Sequence, residues 1–151
     1  MKNSALFMML TFLGLPGLTF AAGADLAGAE YNFAVNELSK SSYNQAAIIG
    51  QQGTDNSASV RQSGSKLLSV VSQDGGSNRA KVDQSGTYNL AYIDQAGNGN
   101  DASIKQEAFG NTAMIIQKGV GNKANITQYG TQKTAVVVQR QSQMAIRVIQ
   151  R

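Results

Sequence analysis

From residue 45 onward, small and β-branched apolar residues alternate with polar ones, and a short polar segment interrupts the alternation every eleven residues. In residues 91–106, AYIDQAGNGNDASIKQ, both Gln95 and Gln106 follow an isoleucine by two places and an alanine by four. The same register places a glutamine at ten consecutive positions: Gln51, Gln62, Gln73, Gln84, Gln95, Gln106, Gln117, Gln128, Gln139 and Gln150. Such regularity is the sequence signature of stacked structural repeats.

The repeated unit, Asn-x-Ala-x-Ile-x-Gln-x-Gly-x-x, predicts a strand followed by a turn. Its Asn, Ala, Ile and Gln lie two apart and therefore share one face of a strand. The Ile position always holds isoleucine or valine, which strands favour. The turn position holds the glycines Gly53, Gly64, Gly75, Gly86, Gly97, Gly119 and Gly130, and six units begin with an asparagine: Asn56, Asn78, Asn89, Asn100, Asn111 and Asn122. An eleven-residue period also fits a right-handed helical coiled coil, but recurrent glycine and β-branched alternation favour strands.

A single strand of this kind cannot bury its inner face alone, so successive units must stack. The predicted fold is all-β: a two-strand-per-coil β-solenoid of the cross-β amyloid type, built from five 22-residue strand–turn–strand repeats. Neighbouring coils would lie about 4.8 Å apart. In such a stack, each inward amide can donate to the amide above it and accept from the one below, which satisfies groups that are costly to bury.

The outward residues show that the true period is 22, because odd and even units differ. On even units they are mostly charged or hydroxyl residues, whereas on odd units they form an apolar outer wall that includes Ile48, Val70, Leu90, Tyr92, Met114, Ile116, Val136 and Val138. A continuous apolar wall is an expected interaction surface. We expect a partner or a neighbouring fibril to contact it, and the alternative is that the N-terminal segment folds over it.

The first and last coils of a solenoid expose strand edges, which soluble solenoids cap. The first coil here follows a short polar run, and neither a proline nor a bulky cap is evident beside it. Open edges of this kind invite the addition of another chain. The sequence therefore predicts polymerisation by strand addition, giving a cross-β fibre.

The N-terminus has the features of an export signal. Lys2 precedes the apolar run of residues 5–20, and small residues follow at positions 21–24. We therefore expect a signal peptide over residues 1–21, with an uncleaved anchor as the alternative. Residues 22–41 lack the repeat and form a flexible leader, and residues 42–151 form the repeat domain, whose last coil, 131–151, is divergent.

Composition removes several functional classes. The 151-residue chain has no cysteine and no histidine, so it lacks the thiol nucleophile and the commonest general base and metal ligand. We expect no enzyme activity, no cofactor, no metal and no small-molecule substrate. Asp83, Asp94 and Asp101 lie close in sequence, but the turns and outer faces of any solenoid carry such residues. The Thr arrays of ice-binding solenoids and the Gly-Gly-x-Gly-x-Asp repeat of calcium-binding β-rolls are absent.

Charge is distributed unevenly along the chain. Its formal net charge is +4, but all nine acidic residues precede residue 108. The final coil carries Lys133, Arg140, Arg147 and Arg151, here named the basic end. Such asymmetry suggests an acidic subunit or an anionic cell surface as partner and makes nucleic acid an improbable one. A merely solvated basic end is the alternative.

The chain combines the eleven-residue repeat with the leader AEYNFAVNELSKSS and the final repeat TQKTAVVVQRQSQMAIRVIQR. In these three features it resembles the curli family of bacterial functional amyloids. Within that family, the basic final repeat is most similar to a nucleator of the fibre. Three positions depart from the pattern: Leu67 replaces Asn, Ser69 replaces Ala, and Ala108 replaces Gly.

The resemblance implies export through a dedicated outer-membrane pore with accessory factors, followed by retention at the cell surface in a fimbrium. It also implies self-association and templating of a major fibre subunit that supports adhesion and biofilm formation. The divergent residues 131–151 would attach the fibre to the cell. Two alternatives stay open: a bulk structural subunit of the fibre, and a monomeric exported solenoid that acts as a binding module.

Overall fold

The computed structural model describes residues 44–151, together with the backbone of residues 5–11. The described elements are eleven strands, which are β1 (Ala5–Thr11), β2 (Gln45–Thr54), β3 (Ser57–Ser65), β4 (Leu67–Gly76), β5 (Arg79–Thr87), β6 (Leu90–Asn98), β7 (Asp101–Gln106), β8 (Thr112–Val120), β9 (Lys123–Gln128), β10 (Thr134–Gln139) and β11 (Ala145–Gln150). Among these residues, no helix has the length and apolar character needed to cross a membrane. The expected signal peptide and leader otherwise lie outside the described residues.

The strands β2 to β11 wind into a parallel solenoid of five coils. Each coil contributes one strand to each of two sheets. Strand order is β1-β2-β4-β6-β8-β10 in the first sheet and β11-β9-β7-β5-β3 in the second. From β2 onward, every pair of neighbouring strands aligns residues that are 22 positions apart, such as Gln73 with Gln95 and Gln84 with Gln106. The predicted all-β fold of five 22-residue repeats is confirmed.

The core lies between the two sheets and consists of the alanine and β-branched positions of the repeat. Its buried members include Ala91, Ile93, Ala102 and Ile104, none of which is measurably exposed. Pairing a small residue with a β-branched one at each level gives a thin interior that two flat sheets can close without cavities. Ala58, Val60, Ile146 and Val148 are only partly buried, because they belong to the first and last coils.

Two backbone positions adopt positive φ in every turn except the one after Gln139, where only Gln143 does. The first is the turn glycine, as at Gly97 with φ +122°, and Ala108 replaces this glycine with φ 83°. The second lies four residues after each glutamine and was missed in the sequence, because it is occupied by unrelated residues: Asp55, Lys66, Ser77, Tyr88, Gly99, Gly110, Gly121, Gln132 and Gln143. Its non-glycine members have φ between 54° and 60°, a left-handed conformation that L-residues adopt at a cost.

The strands of nine or ten residues extend through the turn glycine, but β9 has six residues although Gly130 follows it. In the first sheet, β2 to β8 have nine or ten residues, whereas β10 has six, and Gln141 replaces the turn glycine after it. In the second sheet, β3 and β5 have nine residues, whereas β7, β9 and β11 have six. The shortening of this sheet begins at Ala108, where the glycine pattern is first broken. Close stacking of the turns therefore extends the pairing of the longer strands beyond a six-residue core.

The remaining departures from the repeat are accommodated locally. Leu67 is completely buried in place of an asparagine. The hydroxyl of Ser69 lies 2.7 Å from the Oε1 of Gln84 and 3.1 Å from the Nε2 of Gln62. Ser69 therefore joins the polar network that runs beside the core instead of leaving a gap in it.

Candidate assembly site: side-chain ladders and coil edges

The ten repeat glutamines form two continuous side-chain ladders, one along each sheet. In each ladder, the Nε2 of one glutamine donates to the Oε1 of the glutamine 22 residues later, over 2.6–2.9 Å. Seven of these side chains are almost completely buried. A buried amide without partners costs about 1–3 kcal/mol, so the ladder is what makes a glutamine acceptable at this depth.

The second amide hydrogen of each glutamine joins the two sheets. The Nε2 of Gln95 on β6 lies 2.9 Å from the carbonyl oxygen of Arg79 on β5. The same contact, to the residue 16 positions earlier, recurs at 2.9–3.2 Å for the glutamines from Gln62 to Gln150. Because a carbonyl oxygen repels an amide oxygen, this contact fixes the orientation of the amide. All side-chain amides of both ladders therefore point their Nε2 toward the C-terminal coil.

The asparagines form a different ladder, and the expected amide-to-amide stacking is wrong for most of them. Each Oδ1 accepts from the backbone N–H of the residue 22 positions later, over 2.9–3.1 Å. The Nδ2 donates to backbone carbonyls, as Asn78 does to Asp74 and Gly97. Only Asn100 also contacts another asparagine amide, that of Asn78, among the described residues. The shorter side chain lies beside the turn, where backbone groups are nearer than the next amide.

Gln45 takes the place of an asparagine in the first coil, which sequence reasoning missed. Its Nε2 lies 2.8 Å from the carbonyl oxygen of Gly64, 19 residues later. Asn56 makes the equivalent contact to Gly75, over 3.0 Å. The position of Gln45, six residues before Gln51, was the available signal.

The predicted apolar outer wall exists as a second apolar cluster, separate from the core. It contains Leu68, Val70 and Tyr92, with Ala46, Ile48, Leu90, Met114 and Ile116 packed against them. Val70 and Tyr92 are buried, whereas Val136 and Val138 on β10 are 58% and 44% exposed. The solvent exposure of the wall therefore differs along the solenoid, and its most exposed part lies at the C-terminal coil.

One carboxylate interrupts this wall. Asp94 on β6 lies in register between Ser72 and Ile116. Burial raises the pKa of Asp94 above its usual value, the Lys118 ammonium opposes that rise, and the Asp74 carboxylate adds to it. The charged form is thus the less favourable one in the folded chain.

We expect Asp94→Asn to stabilise the solenoid at neutral pH. An acid whose pKa is raised on folding gives its full contribution to stability below its unfolded pKa of about 4, and loses it as the pH rises through the folded value. Denaturation midpoints should therefore fall with rising pH more steeply for the original chain than for Asp94→Asn. Asp101→Asn, on the opposite wall, is the control and should not remove that slope. Equal pH slopes for the original chain and Asp94→Asn would contradict the prediction.

The opposite outer wall is polar, with residues of both signs in register. Arg79, Asp101 and Lys123 occupy one column across β5, β7 and β9. Lys105 forms an ion pair with Glu107 over 2.7 Å, and this contact raises the pKa of Lys105. Both side chains are over 40% exposed, so solvent screening leaves the pair a minor contributor to stability.

The basic end has a mixed environment. Arg140, Arg147 and Arg151 are exposed, whereas Lys133 is half-buried. The backbone N–H of Lys133 donates to the Oδ1 of Asn111, but its side chain offers no acceptor that could continue the ladder. Met144 ends the other asparagine ladder in the same way, beyond Asn122.

An exposed aromatic pair was not found from the sequence. The rings of Tyr88 and Phe109 lie 5.5 Å apart at an angle of 71°, and the side chains are 58% and 44% exposed. Their spacing of 21 residues, at successive turns of the same sheet, was a signal that the eleven-residue register concealed.

Comparison with known proteins identifies the repeat of this chain as one that is already described in a protein family. The family model described as "Curlin associated repeat" matches residues 53–86, 77–107 and 100–130, which together cover more than half of the chain. The minor curlin subunit of Escherichia coli K12 is 80% identical over 68 residues, and that of Salmonella typhimurium LT2 is 78% identical over the same length. These matches span 45% of this chain and 45% of each relative. The chain belongs to the curlin repeat family.

Proposed function

We propose that this chain is an exported nucleator of a curlin amyloid fibre, which templates the major curlin subunit and holds the fibre at the cell surface. The observation that carries the proposal is the continuity of the stack: backbone, glutamine and asparagine contacts all repeat with the same 22-residue register. A further coil that joins in this register gains the same set of contacts. The similarity to minor curlin subunits supports a nucleating rather than a bulk role.

Nucleation follows physically from the ordered edge. The lag of fibre formation reflects the conformational entropy lost by the first strands before stacking contacts offset it. A folded coil with its amides already oriented removes much of that loss for the next chain. Export would use the expected signal peptide of residues 1–21 and the leader 22–41, followed by an outer-membrane pore with its accessory factors.

The proposal is tested by seeding. The chain without residues 1–21 should abolish the lag of a major curlin subunit when it is added as a small fraction of the total protein. Soluble major subunit alone is the control, and an unchanged lag in the seeded sample would overturn the nucleator assignment. If the chain instead accelerates assembly only in proportion to its own mass, it is a bulk subunit.

Attachment is proposed for residues 131–151, because exposed arginines are concentrated there. A chain without these residues should still seed fibres in solution, but cells should release the fibres into the medium. A variant in which Arg140, Arg147 and Arg151 are replaced by glutamine separates charge from loss of the coil. Fibres that stay on the cells in both variants would overturn the attachment role.

A further inference from the structure

The two ends of the solenoid differ in what they offer to an additional coil. Because each glutamine Nε2 donates toward the C-terminal coil, the N-terminal coil presents the Oε1 atoms of Gln51 and Gln62 as acceptors. Within residues 44–151, no donor reaches either atom. At the other end, Gln139 and Gln150 each present an amide hydrogen that has no acceptor among these residues. An incoming coil is therefore compatible with only one direction at each end.

The N-terminal face has all the columns of the repeat. Its strands β2 and β3 have ten and nine residues and extend through the turn glycines Gly53 and Gly64. The edge of β2 already accepts a parallel strand, since β1 pairs with it from Ala5↔Gln45 to Thr11↔Gln51. Removal of residues 1–21 on export would take β1 away and open this edge to another chain.

An occupant that carries asparagine and glycine at the corresponding positions makes the full set of contacts with this face, whereas coils that lack one of them, as at Leu67 or Ala108, stack with fewer. Inside the solenoid, a Cβ on Gly53 would lie 1.9 Å from the carbonyl oxygen of Gly75, so close stacking favours glycine on the N-terminal side of a junction. Where Ala108 takes this place, the preceding strand β7 has only six residues. The coil on the N-terminal side also supplies the Oδ1 that accepts the next backbone N–H, as Asn56 does for Asn78. Within residues 44–151, the N–H of Asn56 has no such acceptor.

The chain's own final coil lacks these groups. Lys133 and Met144 stand at the asparagine position of the repeat, and Gln141 stands at its glycine position. Its strands β10 and β11 have only six residues. Exposed charges such as Arg140 and Arg147 also disfavour strand addition at an edge.

We infer that the solenoid is a one-ended template: its N-terminal face accepts the last coil of a different curlin-repeat chain whose asparagine and glycine columns are intact. A second copy of this chain is a weaker occupant, because its last coil lacks these groups, and the C-terminal coil is the less favourable end for growth. This inference rests on the proposed function for the identity of the partner. It adds the direction of growth and the reason that a chain with intact columns extends the template better than a second copy does.

Two proline substitutions test the direction. Successive residues of a strand direct their N–H groups to opposite neighbours, and the N–H of Arg79 bonds Asn100 on the C-terminal side. By register, the N–H of Ala58 points away from the solenoid at the N-terminal face, and that of Arg147 points away at the C-terminal face. Proline is tolerated at such edge positions, but it blocks further pairing.

The expected result is a difference between two matched variants. With the major curlin subunit as the growing chain, Ala58→Pro should lower the seeding efficiency at least about tenfold, whereas Arg147→Pro should change it less than about twofold. Ala58→Ser, which keeps the N–H, is the control for the loss of alanine, and far-UV circular dichroism checks that both proline variants are folded. Equal seeding by the two variants, or a greater loss with Arg147→Pro, would overturn the inference.

A repaired final coil tests the same inference without the major subunit. The triple variant Lys133→Asn, Gln141→Gly, Met144→Asn should polymerise with itself about tenfold faster than the original chain, because its last coil then fits its first. The control places the same residue types one position away: Gln132→Asn, Ser142→Gly, Gln143→Asn. No gain in the repaired variant would overturn the inference. If the original chain fails to seed the major subunit while the repaired chain gains self-assembly, only the proposed function is lost.

Discussion

Gly97→Ala should destabilise the solenoid by about 3–5 kcal/mol, the range of severe packing defects. A Cβ on Gly97 would lie 2.0 Å from the carbonyl oxygen of Gly119 in the next coil. That clash involves backbone, so it can be relieved only if the two turns separate. Separation would weaken the contact of the Asn100 Nδ2 with the Gly119 carbonyl, which is 3.0 Å long. The φ of +122° at Gly97 adds strain for any L-residue.

The measurement is the guanidinium denaturation midpoint followed by far-UV circular dichroism. Gly50→Ala is the matched control, because Gly50 has no atom within 4 Å of its Cβ position and no positive φ. It should be close to neutral. Equal effects of the two substitutions would show that coil stacking does not depend on the turn glycines.

Gln106→Glu should destabilise the chain by about 3–5 kcal/mol at neutral pH, as expected for an unpaired buried charge. Gln106 is completely buried. Its Nε2 donates to the Oε1 of Gln128 over 2.9 Å and to the carbonyl oxygen of Leu90 over 3.0 Å. A carboxylate would turn both donor contacts into repulsions between oxygens, and no described cation lies beside it to compensate.

The loss caused by Gln106→Glu should depend on pH. Burial raises the pKa of a carboxyl, so the variant should keep most of its stability below about pH 4 and lose it as the pH rises through the raised value. Denaturation at several pH values measures this directly. Gln52→Glu, at an exposed position, is the control and should show neither the loss nor the pH dependence. A small, pH-independent effect of Gln106→Glu would mean that the ladder is not desolvated.

The period, the strands and the two faces of each coil could be predicted from the sequence because they follow from local alternation. The ten repeat glutamines from Gln51 to Gln150 obey one register, and stacking in parallel preserves it. The partner of each asparagine could not be predicted, since it depends on how closely the turn carbonyls approach Asn78 or Asn100. These distances are set by the stacked backbone and not by residue type.

Other features depend on contacts that alternation does not encode. The positive φ of Lys66 and Ser77 is imposed by the turn geometry, although neither residue type favours it. The burial of Val70, compared with the exposure of Val136 in the same column, depends on what packs over each level of the wall. The shortening of β7 after Gln106 coincides with Ala108 in place of glycine, but β9 is equally short although Gly130 is present, so strand length also depends on the neighbouring coils.

The common orientation of the glutamine amides has an electrostatic consequence. An amide carries a permanent dipole, and both columns of aligned amides point the same way along the solenoid axis. Their axial components therefore add, much as peptide dipoles add along an α-helix. The coil that contains Gln51 and Gln62 becomes the negative pole, and the coil that contains Gln139 and Gln150 becomes the positive pole. A fibre that continues this order would be an electrically polar rod, and an external field would turn all such rods to face the same way.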